Sequence, residues 1–151
     1  RLLRRGWVTF GSPEGMLGWF AQMEKDESAV PFSIYTRDDT PRLVGVVVIK
    51  DIFWQARHCS FFIGIGQRED RGRGYGSDAV RVLLRYCFNE MNMHCVRLEV
   101  IAYNEAARRT YERIGFRHDG ALRAFVHRDG VYYDVECMSL LRSEWVDEPA
   151  R

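Results

Sequence analysis

A glycine-rich turn, Arg71–Ser77, is the part of the sequence whose residue types most directly suggest chemistry. It lies between an apolar, strand-like run at Ser60–Gly66 and a segment whose apolar residues recur at helical spacing. Such a turn leaves backbone N–H groups free at the positive end of the following helix, where they can bind a phosphate group. Two arginines in the turn would add charge-assisted hydrogen bonds to a pyrophosphate. A surface turn with solvated arginines is the alternative explanation.

A second cluster of interest begins where the strand-like run Cys95–Ile101 ends. Asn104 is a typical helix N-cap, and Gly115 is a typical residue just beyond a helix C-terminus. Asn104 and Tyr111 are seven residues apart, or two helical turns, so both side chains can face the same groove. The sequence therefore predicts a helix over residues 105–114 with one face toward a groove.

Together, the two motifs closely resemble those of the GNAT superfamily of acetyl-CoA-dependent N-acetyltransferases. The pyrophosphate loop of that family has the form Q/R-x-x-G-x-G/A, which Arg71-Gly72-Arg73-Gly74-Tyr75-Gly76 fits. A later family segment contains an Asn, small residues, a Tyr and a Gly-Phe pair, matched here by Asn104, Ala106, Ala107, Tyr111, Gly115 and Phe116. The stretch from Asp119 to Trp145 resembles the branch of ribosomal-protein N-terminal and spermidine acetyltransferases.

The resemblance implies that acetyl-CoA is the co-substrate, and no metal is expected. In the family, the pantetheine arm lies between two splayed strands, which we assign to residues 59–65 and 95–101. Main-chain groups beside Gly64 would pair with the arm, and Gly64 and Gly66 allow a bulge or a close backbone approach. The expected cofactor-binding residues are Ile63, Gly64, Ile65, Arg71, Gly72, Arg73, Gly74, Tyr75, Gly76, Ser77, Asn104 and Ala107.

The implied reaction is direct attack of a primary amine on the thioester carbonyl. Tyr111 is expected to protonate the departing thiolate, because a phenol of pKa ~10 is a reasonable acid toward a thiol of pKa ~8.5. Packing of its ring on the cofactor is the alternative role. Glu99 is the candidate general base, acting through a water, although it could instead be an outward-facing partner of Arg97. Rival or weaker candidates for the base are Asp134, Glu136, His58 and His127.

The acceptor is expected to meet an aromatic and acidic rim formed by a late segment of the chain. Its residues are Phe125, His127, Arg128, Tyr132, Tyr133 and Asp134. Cation–π and carboxylate contacts could bind an amine, whereas the arginines nearby argue against a strongly cationic substrate. A peptide or protein N-terminus is therefore the first expectation, and a small polyamine-like amine the second.

Two other functions compete with catalysis. The chain could be a non-catalytic acyl-CoA-binding module with a regulatory or interaction role, although the presence of both Asn104 and Tyr111 speaks against a degenerate site. It could also bind ATP, but the turn lacks the Gly-Lys-Ser/Thr ending that a nucleotide-binding loop requires.

The composition is that of an ordinary globular domain. The 151 residues are 46% hydrophobic and 28% charged, with a formal net charge of +1, which predicts one domain over 1–151 and gives no reason to expect a nucleic-acid or membrane partner. Four cysteines without zinc-site spacing favour buried, reduced thiols in a cytoplasmic protein; they are Cys59, Cys87, Cys95 and Cys137. The resemblance also suggests a homodimer and a missing N-terminal strand and helix.

The hydrophobic periodicity predicts an α/β (α+β) fold with a mixed, mostly antiparallel twisted sheet and helices on both faces. Helices are expected at about 12–25, 75–91 and 105–114, and strands at 32–36, 43–49, 59–65, 95–101, 116–127 and 131–141. The helix that connects strand 59–65 to strand 95–101 implies that these two strands are parallel.

Overall fold

The computed structural model describes residue 18, residues 21–22 and 25–26, and the continuous range 28–148. The main elements are β1 Val30–Tyr35, β2 Leu43–Phe53, β3 His58–Ile65, α1 Tyr75–Arg85, β4 Cys95–Ile101, α2 Glu105–Ile114, β5 Arg117–Arg128 and β6 Val131–Leu141. Most of the helix predicted at 12–25 lies outside the described residues. Within that range, Gly18, Ala21 and Gln22 are described and are helical.

The six strands form one sheet in the order β1-β2-β3-β4-β6-β5. Every neighbouring pair is antiparallel except β3 and β4, which are parallel because α1 carries the chain back between them. The predicted mixed, mostly antiparallel sheet and its parallel pair are thus confirmed.

The parallel pair is joined over only part of its length. β3 pairs with β4 at His58–Ser60 opposite Cys95–Arg97, and no further. β3 nevertheless stays paired with β2 as far as Ile65, and β4 stays paired with β6 as far as Ile101. The two strands therefore diverge beyond Ser60 and Arg97, which leaves a gap at their carboxyl ends where the resemblance implied one.

The main hydrophobic core lies between one face of the sheet and both helices. Side chains alternate along a strand, and those of Val47, Phe61 and Leu98 join Leu84 of α1 and Tyr111 of α2 in a single cluster. We call this side of the sheet the helix-covered face. The predicted helix on the other face depends on residues 12–25, most of which are outside the described range.

The end of α1 differs from the prediction. The apolar periodicity predicts a continuous helix to Met91, but the α-helix ends at Arg85 and a π-helical turn follows at Tyr86–Glu90. In this turn the Met91 N–H donates to the Tyr86 carbonyl oxygen at 3.0 Å, and Cys87 and Phe88 are buried. The Phe88 carbonyl oxygen accepts a hydrogen bond from the Arg142 guanidinium, 54 residues away in the chain.

The four cysteines are free thiols, as expected. Cys59 and Cys87 are buried, but Cys95 and Cys137 are only half-buried, so the expectation of burial was wrong for these two. The reason is alternation, because Cys95 and Cys137 lie on the face of the sheet away from the helices.

Candidate active site

The glycine-rich turn ends in an uncapped helix N-terminus. Gly72 and Gly74 have φ of +73° and +91°, a region that glycine adopts without steric cost. Gly74 is the N-cap of α1 and offers no side chain to cap the helix. The first helical hydrogen bond runs from the Asp78 N–H to the Gly74 carbonyl oxygen at 3.0 Å. The amides without an intrahelical acceptor are those of Tyr75, Gly76 and Ser77.

Neighbouring contacts place these free amides at the carboxyl end of β3. A Cβ atom on Gly76 would lie 3.9 Å from Cγ1 of Ile65, the last residue of β3. The Ser77 hydroxyl donates to the Gly74 carbonyl oxygen at 2.8 Å, and the Arg73 guanidinium lies 5.8 Å from the centre of the Tyr75 ring. The turn therefore borders the mouth of the gap and can bind an anion there.

Arg71 folds back on the end of β3. Its Nε donates to the Ile65 carbonyl oxygen at 3.4 Å, and a terminal guanidinium nitrogen donates to the Gly66 carbonyl oxygen at 3.3 Å. The charged group is thus held at the mouth of the gap, beside the free amides of α1.

The main chain of β3 is directed alternately to its two neighbours. The N–H of Gly66, one residue beyond β3, donates to the carbonyl oxygen of Val44 near the start of β2, at 2.9 Å. Since adjacent residues direct their backbone groups to opposite sides, those of Ile63 and Ile65 are directed toward β4, which has moved away. The Ile65 carbonyl oxygen already accepts a hydrogen bond from Arg71. Ile63 therefore has main-chain groups facing the gap, and its role in binding the cofactor stays a prediction.

Gly64 does not form a bulge, and the close approach of β2 and β3 beside it depends on Gly45. The register between β2 and β3 is uninterrupted from Gly45–Ile65 to Lys50–Ser60, so the bulge considered at Gly64 is not formed. A Cβ on Gly45 would come within 2.4 Å of the Gly64 carbonyl oxygen. The two backbones can pack this closely because Gly45 has no side chain, whereas a Cβ on Gly64 would meet only the Phe62 ring, at 3.4 Å.

Tyr111 lies at the closed end of the gap on the helix-covered face. Its ring centre is 6.1 Å from that of Phe61 and 5.9 Å from that of Phe116. Phe61 directly follows Ser60, the last residue of β3 that pairs with β4. Burial raises the pKa of Tyr111 to about 12, and its hydroxyl has no hydrogen-bond partner within the described part of the chain.

Glu99 lies near the same end of the gap but on the opposite face. It is two residues beyond Arg97, and its neighbours Leu98 and Val100 point into the core, so its own side chain points away from the helices. The side chain is exposed, and among the described residues it forms no ion pair with Arg97. A group inserted in the gap would thus have Tyr111 on one side and Glu99 on the other.

Asn104 caps α2 as predicted. Its side-chain oxygen accepts a hydrogen bond from the Ala107 N–H at 3.3 Å, which confirms the helix start. Gly115, with φ of +118°, ends the helix and donates to the Tyr111 and Glu112 carbonyl oxygens. The side-chain amide nitrogen of Asn104 remains exposed near the carboxyl end of β4.

The rival acidic residues already have partners. The Asp134 carboxylate accepts a hydrogen bond from the Ala124 N–H at 2.7 Å, where Ala124 has φ of +50°. The Glu136 carboxylate is hydrogen-bonded to the imidazole of His118. Both carboxylates therefore stabilise the β5–β6 hairpin.

An arginine occupies the aromatic part of the predicted acceptor rim. Tyr103 and Tyr133 pack edge to face with ring centres 4.8 Å apart. Arg128 donates to the Tyr103 hydroxyl at 2.9 Å and lies 5.5 Å from the centre of its ring. Since the Ala102 N–H donates to the Asp134 carbonyl oxygen, this cluster adjoins the carboxyl end of β4.

One ion pair at the site was not found from the sequence. Asp70 immediately precedes the turn, is only 3% exposed, and binds Arg42 of the β1–β2 connection through both carboxylate oxygens, at 2.7 and 2.8 Å. The hydrogen bonds from Arg42 hold the pKa of Asp70 below its usual value. Asp70 is part of a charged run, typical of solvated surface, and its partner is 28 residues away in the chain.

The comparisons with known proteins agree with this geometry. Residues 4–117 match the family model described as the acetyltransferase (GNAT) domain. The chain belongs to the GNAT family. Its expected activity as an acetyl-CoA-dependent N-acetyltransferase and its expected fold are thereby confirmed at the level of the family.

Several GNAT relatives act on amines. The chain is 31% identical to a spermidine N(1)-acetyltransferase of Vibrio cholerae, over 73% of this chain and 63% of the relative. It is 23% identical to the [ribosomal protein uS5]-alanine N-acetyltransferase of Escherichia coli, over 87% of this chain and 68% of the relative. The crystal structure of a Vibrio cholerae spermidine N-acetyltransferase with CoA and spermine has a TM-score of 0.78 and 26% identity, covering 93% of this chain and 80% of that chain.

Other expectations are not decided by the GNAT match. Within the described residues, no group of three or more His, Cys, Asp or Glu side chains could hold a metal ion, and no helix is long and apolar enough to cross a membrane. The homodimer and the cytoplasmic location stay predictions.

Proposed function

We propose that this chain acetylates a peptide or protein N-terminus, with the reaction taking place in the gap between β3 and β4. The observation that carries the proposal is the divergence of these strands beyond Ser60 and Arg97. The open end of the gap borders the free amides of α1, and its closed end borders Tyr111.

Acetyl-CoA fits this gap in one direction. The pyrophosphate would bind the free amides of Tyr75, Gly76 and Ser77 with Arg71 beside it, because a helix N-terminus favours negative charge. The pantetheine arm would lie along β3 and pair with the main chain of Ile63 in the manner of an added strand. The acetyl group would then lie at the closed end, between Tyr111 and Glu99.

We expect the two proton transfers to take place on opposite faces of the sheet. The acceptor amine would approach from the exposed face, where Glu99 can take its proton through a water. Tyr111 would donate to the thiolate from the helix-covered face. Its pKa of about 12 keeps it protonated at neutral pH. The same desolvation would raise the pKa of a CoA thiol bound beside it, which would bring the two pKa values closer together.

The partners of the rim residues favour a peptide N-terminus over a polyamine. A polyamine needs several free carboxylates or aromatic faces, but Asp134 and Glu136 are already hydrogen-bonded within the hairpin. The Tyr103 ring is covered by the cation of Arg128. The relatives include a spermidine acetyltransferase and a ribosomal-protein alanine acetyltransferase. We therefore expect the acceptor class to depend on this rim rather than on the fold.

The test is release of CoA thiol from acetyl-CoA in the presence of a panel of amines. Peptides with Ala or Ser N-termini, spermidine, an aminoglycoside and free amino acids would be compared. Release stimulated mainly by the peptides is the expected result. Stimulation by spermidine alone would replace the proposed acceptor class. Tight acetyl-CoA binding with no release from any amine would favour the non-catalytic acyl-CoA-binding module.

A further inference from the structure

The Arg42–Asp70 ion pair joins the β1–β2 connection to the glycine-rich turn. Asp70 ends a short 3-10 turn at Arg68–Asp70 and is followed directly by Arg71. Its carboxylate is 3% exposed, whereas the Arg42 side chain is 52% exposed. A carboxylate this buried is stable as an anion only with a well-oriented cationic partner, and the bidentate arginine supplies one.

Arg42 is itself fixed in position. Its N–H donates to the Thr36 hydroxyl at 3.0 Å, and its carbonyl oxygen accepts from the Thr36 N–H at 3.0 Å. Thr36 is only 4% exposed. The guanidinium therefore projects from a closed, hydrogen-bonded hairpin end rather than from a loose loop.

The pair lies directly beside the turn, because Asp70 is followed at once by Arg71. The hydrogen bonds of Asp70 raise the pKa of Arg42, with smaller electrostatic contributions from Tyr75 and Asp38. The hydrogen bonds of Arg42 lower the pKa of Asp70, with a smaller electrostatic contribution from Arg73. The ion pair therefore anchors the residue from which the turn starts.

We propose that Arg42 and Asp70 are positioning residues for acetyl-CoA, an inference that rests on the proposed cofactor site. The glycines give the turn the conformational freedom to present its amides to a ligand. The same freedom means that the turn loses conformational entropy when it adopts the single shape that binds the cofactor. The ion pair fixes the start of the turn against the end of the β1–β2 hairpin. Because neither side chain is expected to touch the acetyl group or the amine, the pair acts on cofactor affinity and not on the chemical step.

The experiment measures the dissociation constant for acetyl-CoA by calorimetry, together with kcat and both KM values, at a temperature below the melting transition of every variant. Asp70→Asn is expected to raise the dissociation constant and the KM for acetyl-CoA about tenfold, with kcat and the acceptor KM nearly unchanged. Arg42→Gln should have a larger effect, since it leaves the buried carboxylate unpaired. Arg42→Lys should restore part of the affinity, because it returns the charge without the planar fork.

The matched control is Asp147→Asn, which removes an ion pair with Arg85 whose N–O distance is 2.9 Å and whose partners are 62 residues apart. It should leave the dissociation constant for acetyl-CoA unchanged. Wild-type affinity in both Asp70→Asn and Arg42→Gln would overturn the positioning role while leaving the cofactor site intact. A wild-type chain that does not bind acetyl-CoA would instead overturn the proposed function and this inference with it. Equal losses in kcat and in both KM values would show a general structural role and also overturn the inference.

Discussion

The guanidinium of Arg71 lies against the carbonyl oxygen of Ile65, with its Nε at 3.4 Å from that oxygen. One side chain thus connects the glycine-rich turn to the end of β3, the strand along which we propose that the pantetheine arm lies. The cation stands where β3 ends and where the free amides of α1 begin. This relationship places a positive charge at the mouth of the gap.

Replacing Arg71 by alanine is expected to raise the KM for acetyl-CoA about tenfold, because a charge-assisted contact to the pyrophosphate is lost. Steady-state kinetics at varied acetyl-CoA would measure the effect. Arg113→Ala is a matched control, since Arg113 also donates from Nε to a backbone carbonyl oxygen, that of Arg109, at 3.3 Å, but lies on α2. An equal change in both variants would remove Arg71 from the site.

Replacing Gly74 by alanine should weaken acetyl-CoA binding as well as stability. Alanine in this left-handed conformation costs about 1–2 kcal/mol, and relief of that strain would move the amides at the start of α1. Gly130→Ala is the control, because Gly130 has φ of +79° and equally open surroundings at the β5–β6 turn. Both variants should lose similar stability in urea unfolding, but only Gly74→Ala should lose acetyl-CoA affinity. Identical affinities would mean that the turn does not bind the cofactor.

Replacing Tyr111 by phenylalanine should lower kcat about 10²-fold, the usual contribution of a general acid, with little change in acetyl-CoA affinity. The ring contacts with Phe61 and Phe116 are retained, so the fold is kept. Kinetics and calorimetry on the same preparation would separate the two effects. A parallel loss of affinity, with kcat preserved, would indicate that the ring only packs on the cofactor.

Tyr111 also predicts a pH dependence of stability. Its folded-state pKa of about 12 is above the unfolded value of ~10, so its contribution is complete below pH ~10 and is lost as pH rises toward 12. Relative to Tyr111→Phe, the wild-type free energy of unfolding should fall by up to about 2–3 kcal/mol over that range. Urea unfolding of both proteins between pH 8 and 12 would test this. Parallel pH profiles would show that the phenol is not desolvated.

Glu99 can be tested against its rival Glu136. Glu99→Gln should lower kcat about 10²-fold if the carboxylate relays the amine proton, because the amide cannot accept that proton. Glu136→Gln should change kcat little, since that carboxylate is hydrogen-bonded to His118. The pH profiles of kcat for the two variants give the comparison. The reverse ranking would assign the base to the β5–β6 hairpin.

Local chemistry explains the parts of this protein that could be predicted from sequence. The bounds of α2 follow from Asn104 and Gly115. The Asn104 side-chain oxygen caps the first turn of the helix, and the positive φ of Gly115 ends its last turn. The turn at Arg71–Ser77 and the parallel strands around it follow from glycine spacing and the helical crossover. These features depend on neighbours in the chain, so the amino-acid order determines them.

The remaining features depend on contacts between distant residues, and only the tertiary structure decided them. The π-helical turn at Tyr86–Glu90 has no signal in the sequence, because the apolar spacing there fits a continuous α-helix. Glu99 and Tyr111 were predicted as candidate base and acid from separate motifs, and strand alternation places them on opposite faces of the gap. The Arg42–Asp70 pair has no local pattern, because the fold brings a hairpin end and the glycine-rich turn together across 28 residues. Sequence thus determined the family, the turn and the caps, whereas long-range packing decided how the site around them is held.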